Sequence, residues 1–483
     1  MAVDVRPVFH VIGYLVVILA TAMLVPMFVD LAVGNPDWVV FGTASAVTLF
    51  FGVLLVLTSW TPTKTLHLRQ VFLLTTLAWI IVCVFAALPF VFAETRLSFT
   101  DAFFESMSGL TTTGSTVMVG LDRLPPGLLL WRSLTQWLGG LGIVAMGIAV
   151  LPFLRVGGMQ LFRAESSDRS DKVVPRASDL ALALGWIYMT LTVACAIALS
   201  IAGMSIFDAI CHAMTAVSTA GFSTRDSSVG AWNNASVEVV LIFFMVLGGV
   251  PFVRLISLAR GDVGPIWRDT QIRWYLGFLA VVSVAVGAWL AEASGISWLQ
   301  GLRLAAFNVV SIVTTTGYAS TDYSLWGALA VSVFLMLTVV GGCTGSTTGG
   351  IKIFRFEILF MVIRVQSIRL YSPHRILPLT YNGKPVDNDI MVSVMAFGFV
   401  FVALLALFGV ILSAIGLDLV TAFSGAATAL ANVGPGLGPV IGPAGNFAPL
   451  PDSAKWVLSI GMLLGRLEFF TVLVLLNPRF WMR

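Results

Sequence analysis

The sequence predicts an all-α polytopic membrane protein: four tandem units of helix, pore helix, filter loop and helix around one pore, behind an N-terminal helix pair. Three observations carry this. Hydrophobic residues make up 58% of the 483-residue chain and charged residues only 11%, with a mean hydropathy of +0.96, whereas a soluble domain carries about 25% charged residues. One short pattern ending in Gly is written four times: Ser108-Gly-Leu-Thr-Thr-Thr-Gly114, Thr215-Ala-Val-Ser-Thr-Ala-Gly221, Ser311-Ile-Val-Thr-Thr-Thr-Gly317 and Thr428-Ala-Leu-Ala-Asn-Val-Gly434. A half-length apolar segment precedes each copy. Two residues before the Gly stands Thr or Asn (Thr112, Thr219, Thr315, Asn432), six before it a hydroxyl, and twelve before it Ala (Ala102, Ala209, Ala305, Ala422). Matching columns in four segments mark an internal repeat of roughly a hundred residues.

A span needs about 20 apolar residues, and ten such stretches lie near 8–33, 38–59, 69–93, 127–154, 178–203, 236–259, 274–294, 325–343, 389–415 and 454–476. The first is too long for a removable signal peptide and lacks its cleavage site. The segments 98–107, 205–214, 296–310 and 416–427 are too short to cross and suit re-entrant helices. The expected organisation is a helix pair at 1–62, then repeats at 63–160, 161–262, 263–372 (second helix broken) and 373–483. Of the 27 Lys and Arg residues, 20 fall at the termini or between units, while the pore-helix side carries only Arg96, Arg123, Arg132, Arg225, Arg303 and Lys455. Loops rich in Lys and Arg stay in the cytoplasm, so both termini are expected there and the glycine loops enter from outside.

Non-helical backbone at membrane depth survives only where water or an ion satisfies it. Four such loops can present rings of carbonyl oxygens that replace a monovalent cation's hydration shell. Gly tolerates positive φ and lets successive carbonyls turn inward; the Thr two residues earlier can add a ligand or tie the loop to its pore helix. The candidate ion-binding residues are therefore Thr111, Thr112, Thr113 and Gly114; Thr219, Ala220 and Gly221; Thr315, Thr316 and Gly317; and Asn432, Val433 and Gly434. Each pore helix aims its partially negative C-terminus at the ion, with Asp101 and Asp208 near the opposite ends.

These loops, with Trp131-Arg-Ser-Leu-Thr-Gln-Trp-Leu-Gly-Gly140, Gly341-Gly-Cys-Thr-Gly-Ser-Thr-Thr-Gly-Gly350 and Gly465-Arg-Leu-Glu-Phe-Phe470, resemble the Trk/Ktr/HKT superfamily of potassium transporters, within it the bacterial Trk membrane subunit, over essentially the whole chain. The resemblance implies a homodimer in the bacterial inner membrane with one pore per subunit, potassium as the transported ion, and gating by a cytosolic nucleotide-binding subunit. Sodium-preferring members carry Ser at the first filter position; here all four positions are Gly, which implies potassium. The fourth loop, Asn432-Val433-Gly434-Pro435, departs from the Thr-rich pattern.

The run from Gly341 to Gly350 interrupts the eighth span, and its glycines cannot hold a straight helix, each costing about 1 kcal/mol relative to Ala. By resemblance it is a gating loop beneath the filter, carried by Gly345, Thr347, Thr348, Gly349 and Gly350; the alternative is a helix crossing packed through small residues. It lacks the Gly-Lys-Ser/Thr ending of a nucleotide-binding loop. Arg466 lies mid-span, where a charge costs at least about 2.5 kcal/mol, and is expected to face the pore and meet that loop. Glu105, His212, Asn308 and Gly425 share a pore-helix column and are expected to hydrogen-bond within the packing. Arg132, Gln136 and Arg303 read as anchors near the outer surface, and Trp131, Trp232, Trp326 and Trp456 as interfacial anchors. The basic segment from Lys352 to Lys384 suits a lipid-headgroup face or a docking surface for a cytosolic regulator, and both stay open.

A net charge of +3 gives no reason to expect nucleic acid. Cys83, Cys195, Cys211 and Cys343 have no CxxC spacing, and widely separated His10, His67, His212 and His374 offer no catalytic or metal-ligating set, so neither an enzyme nor an organic cofactor is expected. The competing functional class is a proton- or sodium-coupled symporter working by alternating access.

Overall fold

The computed structural model describes residues 4–62, 66–149, 177–375, 377 and 379–482; the junction expected at 160/161 falls outside these, and that at 62/63 on their edge. Long apolar runs become helices because a helix satisfies its own backbone in lipid. Among the described residues, Arg6–Val33, Trp38–Thr58, Leu68–Phe92, Asp179–Ile201, Thr270–Ser294 and Asn388–Ile415 are each long and apolar enough to cross a membrane. Pro126–Ala149 adds a 24-residue helix with a more polar face. The chain is a multi-pass membrane protein. Among the described residues, the one sheet is a two-stranded antiparallel hairpin, Thr380–Tyr381 with Lys384–Pro385.

Among the described residues, three of the ten expected spans are not straight. The sixth breaks between Ala235–Gly248 and Phe252–Ala259 with a bend of 106°, where Pro251 removes a donor and clashes with a continuing helix. The tenth bends by 103° between Asp452–Arg466 and Phe470–Leu476, at Glu468 and Phe469, both with positive φ. The eighth stops as a helix at Val339 and resumes only at Ile353.

The N-terminal pair packs through Gly13 and Gly52: a Cβ on Gly13 would come within 2.9 Å of the Val56 nitrogen, and one on Gly52 within 3.0 Å of the Val17 nitrogen. Small residues allow this close approach, which is how helices adhere in lipid. One hydrophobic core gathers the second and third repeats around Leu241, Tyr275, Phe307 and Phe334. Another joins the helix pair to the first and fourth repeats through Met23, Phe104, Trp131, Phe408 and Met462. Many large apolar side chains are exposed, among them Phe50, Phe243 and Phe399, whereas numerous Thr, Ser, Asn and charged residues are buried beside the apolar core. The four cysteines are buried.

Candidate functional site

All four pore helices start and stop in the same way. Their N-caps, Ser98, Ser205, Ser297 and Asp418, each accept a hydrogen bond from the N–H three residues on, which serves one of the orphan donors of a helix start. Asp101 and Asp208 accept from the Ser98 and Ser205 hydroxyls at 2.9 and 2.8 Å. The helices span Phe99–Leu110, Ile206–Val217, Trp298–Val313 and Leu419–Ala431, so each runs about one turn closer to the Gly than hydropathy indicated. At the C-terminal end Thr113, Ala220, Thr316 and Val433 N–H groups donate to the carbonyls of Ser108, Thr215, Ser311 and Thr428. Thr112, Thr219, Thr315 and Asn432 N–H groups close the shorter bonds inside these. This is the Schellman helix ending, with Thr or Asn where Gly is usual.

That ending explains the column two residues before the Gly. Thr112, Thr219, Thr315 and Asn432 have φ of 53°, 50°, 56° and 55°, a left-handed conformation that is a true outlier for β-branched Thr and costs on the order of 1–3 kcal/mol per residue. Gly114, Gly221, Gly317 and Gly434 follow at 89°, 79°, 81° and 114°. Two positive-φ residues flanking one ordinary residue turn the intervening peptides away from helical alignment.

The loops close a ring in chain order. A Cβ on Gly114 would run into the carbonyl oxygen of Ala220, one on Gly221 into that of Thr316, one on Gly317 into that of Val433, and one on Gly434 would lie 2.9 Å from that of Thr113. Each glycine thus packs against the residue preceding the next repeat's glycine, and the fourth meets the first. Ser115 Oγ donates to the Gly434 carbonyl at 2.7 Å, and Asn432 Nδ2 donates to Thr113 Oγ1 at 3.0 Å, closing the ring between the fourth and first repeats.

Polar side chains behind the ring hold its outer limbs. Glu105 accepts from the Thr116 hydroxyl and the Val117 N–H at 2.9 Å each. His212 contacts Ser223 Oγ at 3.0 Å, and Asn308 Nδ2 donates to Ser320 Oγ at 2.9 Å. Where the fourth copy has Gly425, the neighbouring Ser424 Oγ accepts from the Leu437 N–H at 3.0 Å. Arg132 and Gln136 are not outer-surface anchors: both are buried. Arg132 pairs with Glu105 at 2.8 Å and donates to the Ser223 carbonyl at 2.8 Å, binding the first loop to the second. Gly139 and Gly140 leave no room for a Cβ against Leu110 and Ser218, so the whole Trp131–Gly140 motif backs these two loops. Trp131 is likewise fully buried and donates to the Ala86 carbonyl at 3.1 Å; of the four Trp residues only Trp456 is exposed. Arg303 forms a paired contact with Glu238 at 2.7 and 2.8 Å rather than standing alone. The signal for Arg132 and Gln136 was available in the sequence: two polar residues four apart in an apolar helix share one face.

The segment 340–352 is a closed, buried loop whose ends meet in a parallel bridge between Val340 and Ile351. It hangs directly from the ring of glycine loops. Gly349 N–H donates to Thr315 Oγ1 at 2.7 Å, Gly350 N–H to the Ala431 carbonyl at 2.8 Å, and Thr219 Oγ1 to Thr347 Oγ1 at 3.1 Å. The Thr347 hydroxyl also reaches the Val217 and Gly248 carbonyls. The break at 249–251 receives the loop, Cys343 N–H donating to Gly249 O and Phe252 N–H to Gly345 O, both at 2.9 Å. Thr219 and Thr315 therefore direct their hydroxyls to this loop.

Arg466 is buried and donates through Nη1 to the Thr347 carbonyl at 3.0 Å, while Nε and Nη2 have no protein partner among the described residues. Glu468 pairs with Arg355, whose guanidinium also lies 3.6 Å from the Phe397 ring centre. Lys352 donates to Thr348 Oγ1 at 3.0 Å. Lys352 and Arg355 are thus interior residues, and the exposed basic face is confined to later positions such as Arg364, Arg369 and Arg375. A small cavity between the loop and the bend of the last span is lined by Ser346, Gly349, Lys352, Gly465, Arg466 and Glu468, among others.

A family model described as TrkH, cation transport protein, matches residues 39–481. The chain is 48% identical over 476 residues to the Trk system potassium uptake protein TrkI of Halomonas elongata, covering 98% of this chain and 96% of that protein. It is 37% identical over 488 residues to the Trk system potassium uptake protein TrkH of Escherichia coli, covering 99% of each. The crystal structure of the potassium transporter TrkH from Vibrio parahaemolyticus superposes with a TM-score of 0.91 at 34% identity, again over 99% of each chain.

Proposed function

The chain belongs to the TrkH family of cation transport proteins, and from that premise we propose how it carries out potassium uptake. It is a Trk-type potassium uptake transporter of the membrane, not an enzyme. Potassium passes through the ring formed by the four glycine loops, exchanging water for the backbone carbonyls of Thr112 to Gly114, Thr219 to Gly221, Thr315 to Gly317 and Asn432 to Gly434. The observation that carries this reading is the cyclic packing of each glycine against the next repeat's preceding carbonyl. Four repeats at 63–160, 161–262, 263–372 and 373–483 build the ring, behind the helix pair at 1–62.

The loop from Gly345 to Gly350 is the gate. Seated beneath the filter, it blocks the exit, and Arg466 adds a positive charge that repels cations there. Opening draws the loop off Thr315, Thr219 and Ala431. A cytosolic nucleotide-binding Trk subunit drives this by moving the helix Ile353–Tyr371, which continues directly from the loop. The transporter works as a homodimer in the bacterial inner membrane with both termini in the cytoplasm. A membrane potential is worth about 2.3 kcal/mol per charge per 100 mV, enough to drive uptake without a second ion.

Rubidium uptake into proteoliposomes under an imposed inside-negative potential tests this. Uptake that potassium competes away, with no proton or sodium gradient present, is the expected result. Uptake that appears only with such a gradient would replace the channel-like filter with a coupled symporter.

A further inference from the structure

The four carbonyls that face neighbouring glycines are not equivalent. Those of Thr113, Thr316 and Val433 accept no protein hydrogen bond among the described residues, whereas that of Ala220 accepts one from Gln136 Nε2 at 2.7 Å. The same side chain accepts at Oε1 from the Phe222 N–H at 2.9 Å. This settles the amide's orientation, because a backbone N–H can only donate. Gln136 is fully buried. It reaches from the second helix of the first repeat into the loop of the second, and its two hydrogen bonds straddle Gly221.

We propose that Gln136 sets the ion preference of the filter by tethering the Ala220 carbonyl. The proposal rests on the filter reading above and names a residue that governs it without touching the ion. A carbonyl oxygen has two lone pairs, so Ala220 can still face the pore while one lone pair is held from behind. The tether resists inward movement of that oxygen and draws electron density from it. A smaller cation needs the ligands closer and the field stronger than potassium does, so sodium is penalised more. Gln136 is a positioning residue, and the Gly114 face of the ring, which packs on this same carbonyl, is where its influence is felt.

The test compares full-length wild type, Gln136→Met and Gln136→Glu in proteoliposomes under voltage, measuring rubidium and sodium uptake from mildly acid to mildly alkaline pH. Gln136→Met should keep rubidium uptake while its rubidium-over-sodium ratio falls about fivefold, the scale of one ordinary hydrogen bond's net contribution. In Gln136→Glu a protonated acid can accept from Phe222 and donate to Ala220, whereas an ionised one only accepts. Its ratio should therefore fall as pH rises, with wild type unchanged over the same range; a purely structural role would not produce that profile. A Met variant that transports rubidium with the wild-type ratio overturns the proposal. If the Met variant does not transport, a pH-independent ratio in the Glu variant overturns it instead. Wild type that takes up no rubidium under voltage would sink the filter reading itself, before either variant is compared.

Discussion

Gly349→Ala tests whether the loop beneath the proposed filter must leave its seat for ions to pass. An added Cβ would fall deep inside van der Waals contact of the Ala431 carbonyl oxygen and 3.0 Å from the Asn432 Cβ, where ordinary contact begins at 3.4 Å. The first obstacle is backbone at the end of a pore helix, so the loop must back away by roughly 1 Å, the margin at which contact energies are forfeited. Two hydrogen bonds span that gap: Gly350 N–H to Ala431 O at 2.8 Å and Gly349 N–H to Thr315 Oγ1 at 2.7 Å. At about 1 kcal/mol net apiece, losing both shifts the seated-to-unseated balance by about 2 kcal/mol, or about 30-fold. Rubidium flux through the protein without any partner should rise, up to that factor, with the potassium-over-sodium preference unchanged because no filter carbonyl moves. A folded variant with unaltered preference and unaltered or lower flux would refute the gate.

Other substitutions probe neighbouring parts of the same machinery. Gly114→Ser puts a side chain at φ 89° directly against the Ala220 carbonyl; potassium-over-sodium uptake should fall by about tenfold, equivalent to about 1.4 kcal/mol, and an unchanged ratio would show that this ring does not discriminate. Arg466→Ala removes the charge and its bond to the Thr347 carbonyl, a charge-assisted contact worth about 1.5–3 kcal/mol, so basal rubidium flux should rise by about tenfold or more; reduced flux would assign Arg466 to structure rather than to closure. Glu105→Gln and Arg132→Met each strand one member of a fully buried pair and should lower unfolding stability by about 3–5 kcal/mol. The double variant should lose less than the two singles together, as thermal unfolding in detergent measures, and additive losses would contradict the coupling.

Much of the fold was legible because its causes are local. Lipid demands long apolar helices, and Lys and Arg between units mark the ends of spans. The column at Thr112, Thr219, Thr315 and Asn432 was visible as a repeat, and so was the unusual run from Gly341 to Gly350. What that column does was not visible. The sequence offered two uses for the Thr hydroxyl, ion ligand or tie to the pore helix, whereas Thr219 and Thr315 direct it to the loop below. A side chain's direction depends on φ, and the left-handed turn at these residues is a property of the closed helix ending rather than of Thr.

Other decisions belonged to tertiary structure alone. Hydropathy read 236–259 and 454–476 as straight spans, but the breaks at 249–251 and 467–469 are held open by the loop that docks there and by the bond between Glu468 and Arg355. Lys352 and Arg355 belonged by composition to a basic surface, yet Thr348 and Glu468 draw them inside. That Arg132 and Gln136 share a face was legible, but not what they hold, because the carbonyls of Ser223 and Ala220 lie more than 80 residues away. By itself the sequence determined how many walls the ring of glycine loops has and what each is made of, since hydropathy and helix endings are written within a few neighbouring residues. The order in which the walls meet, the direction of each hydroxyl and the pairing of each buried charge came only with the folded chain, because those bonds join residues from different repeats that nothing but packing brings together.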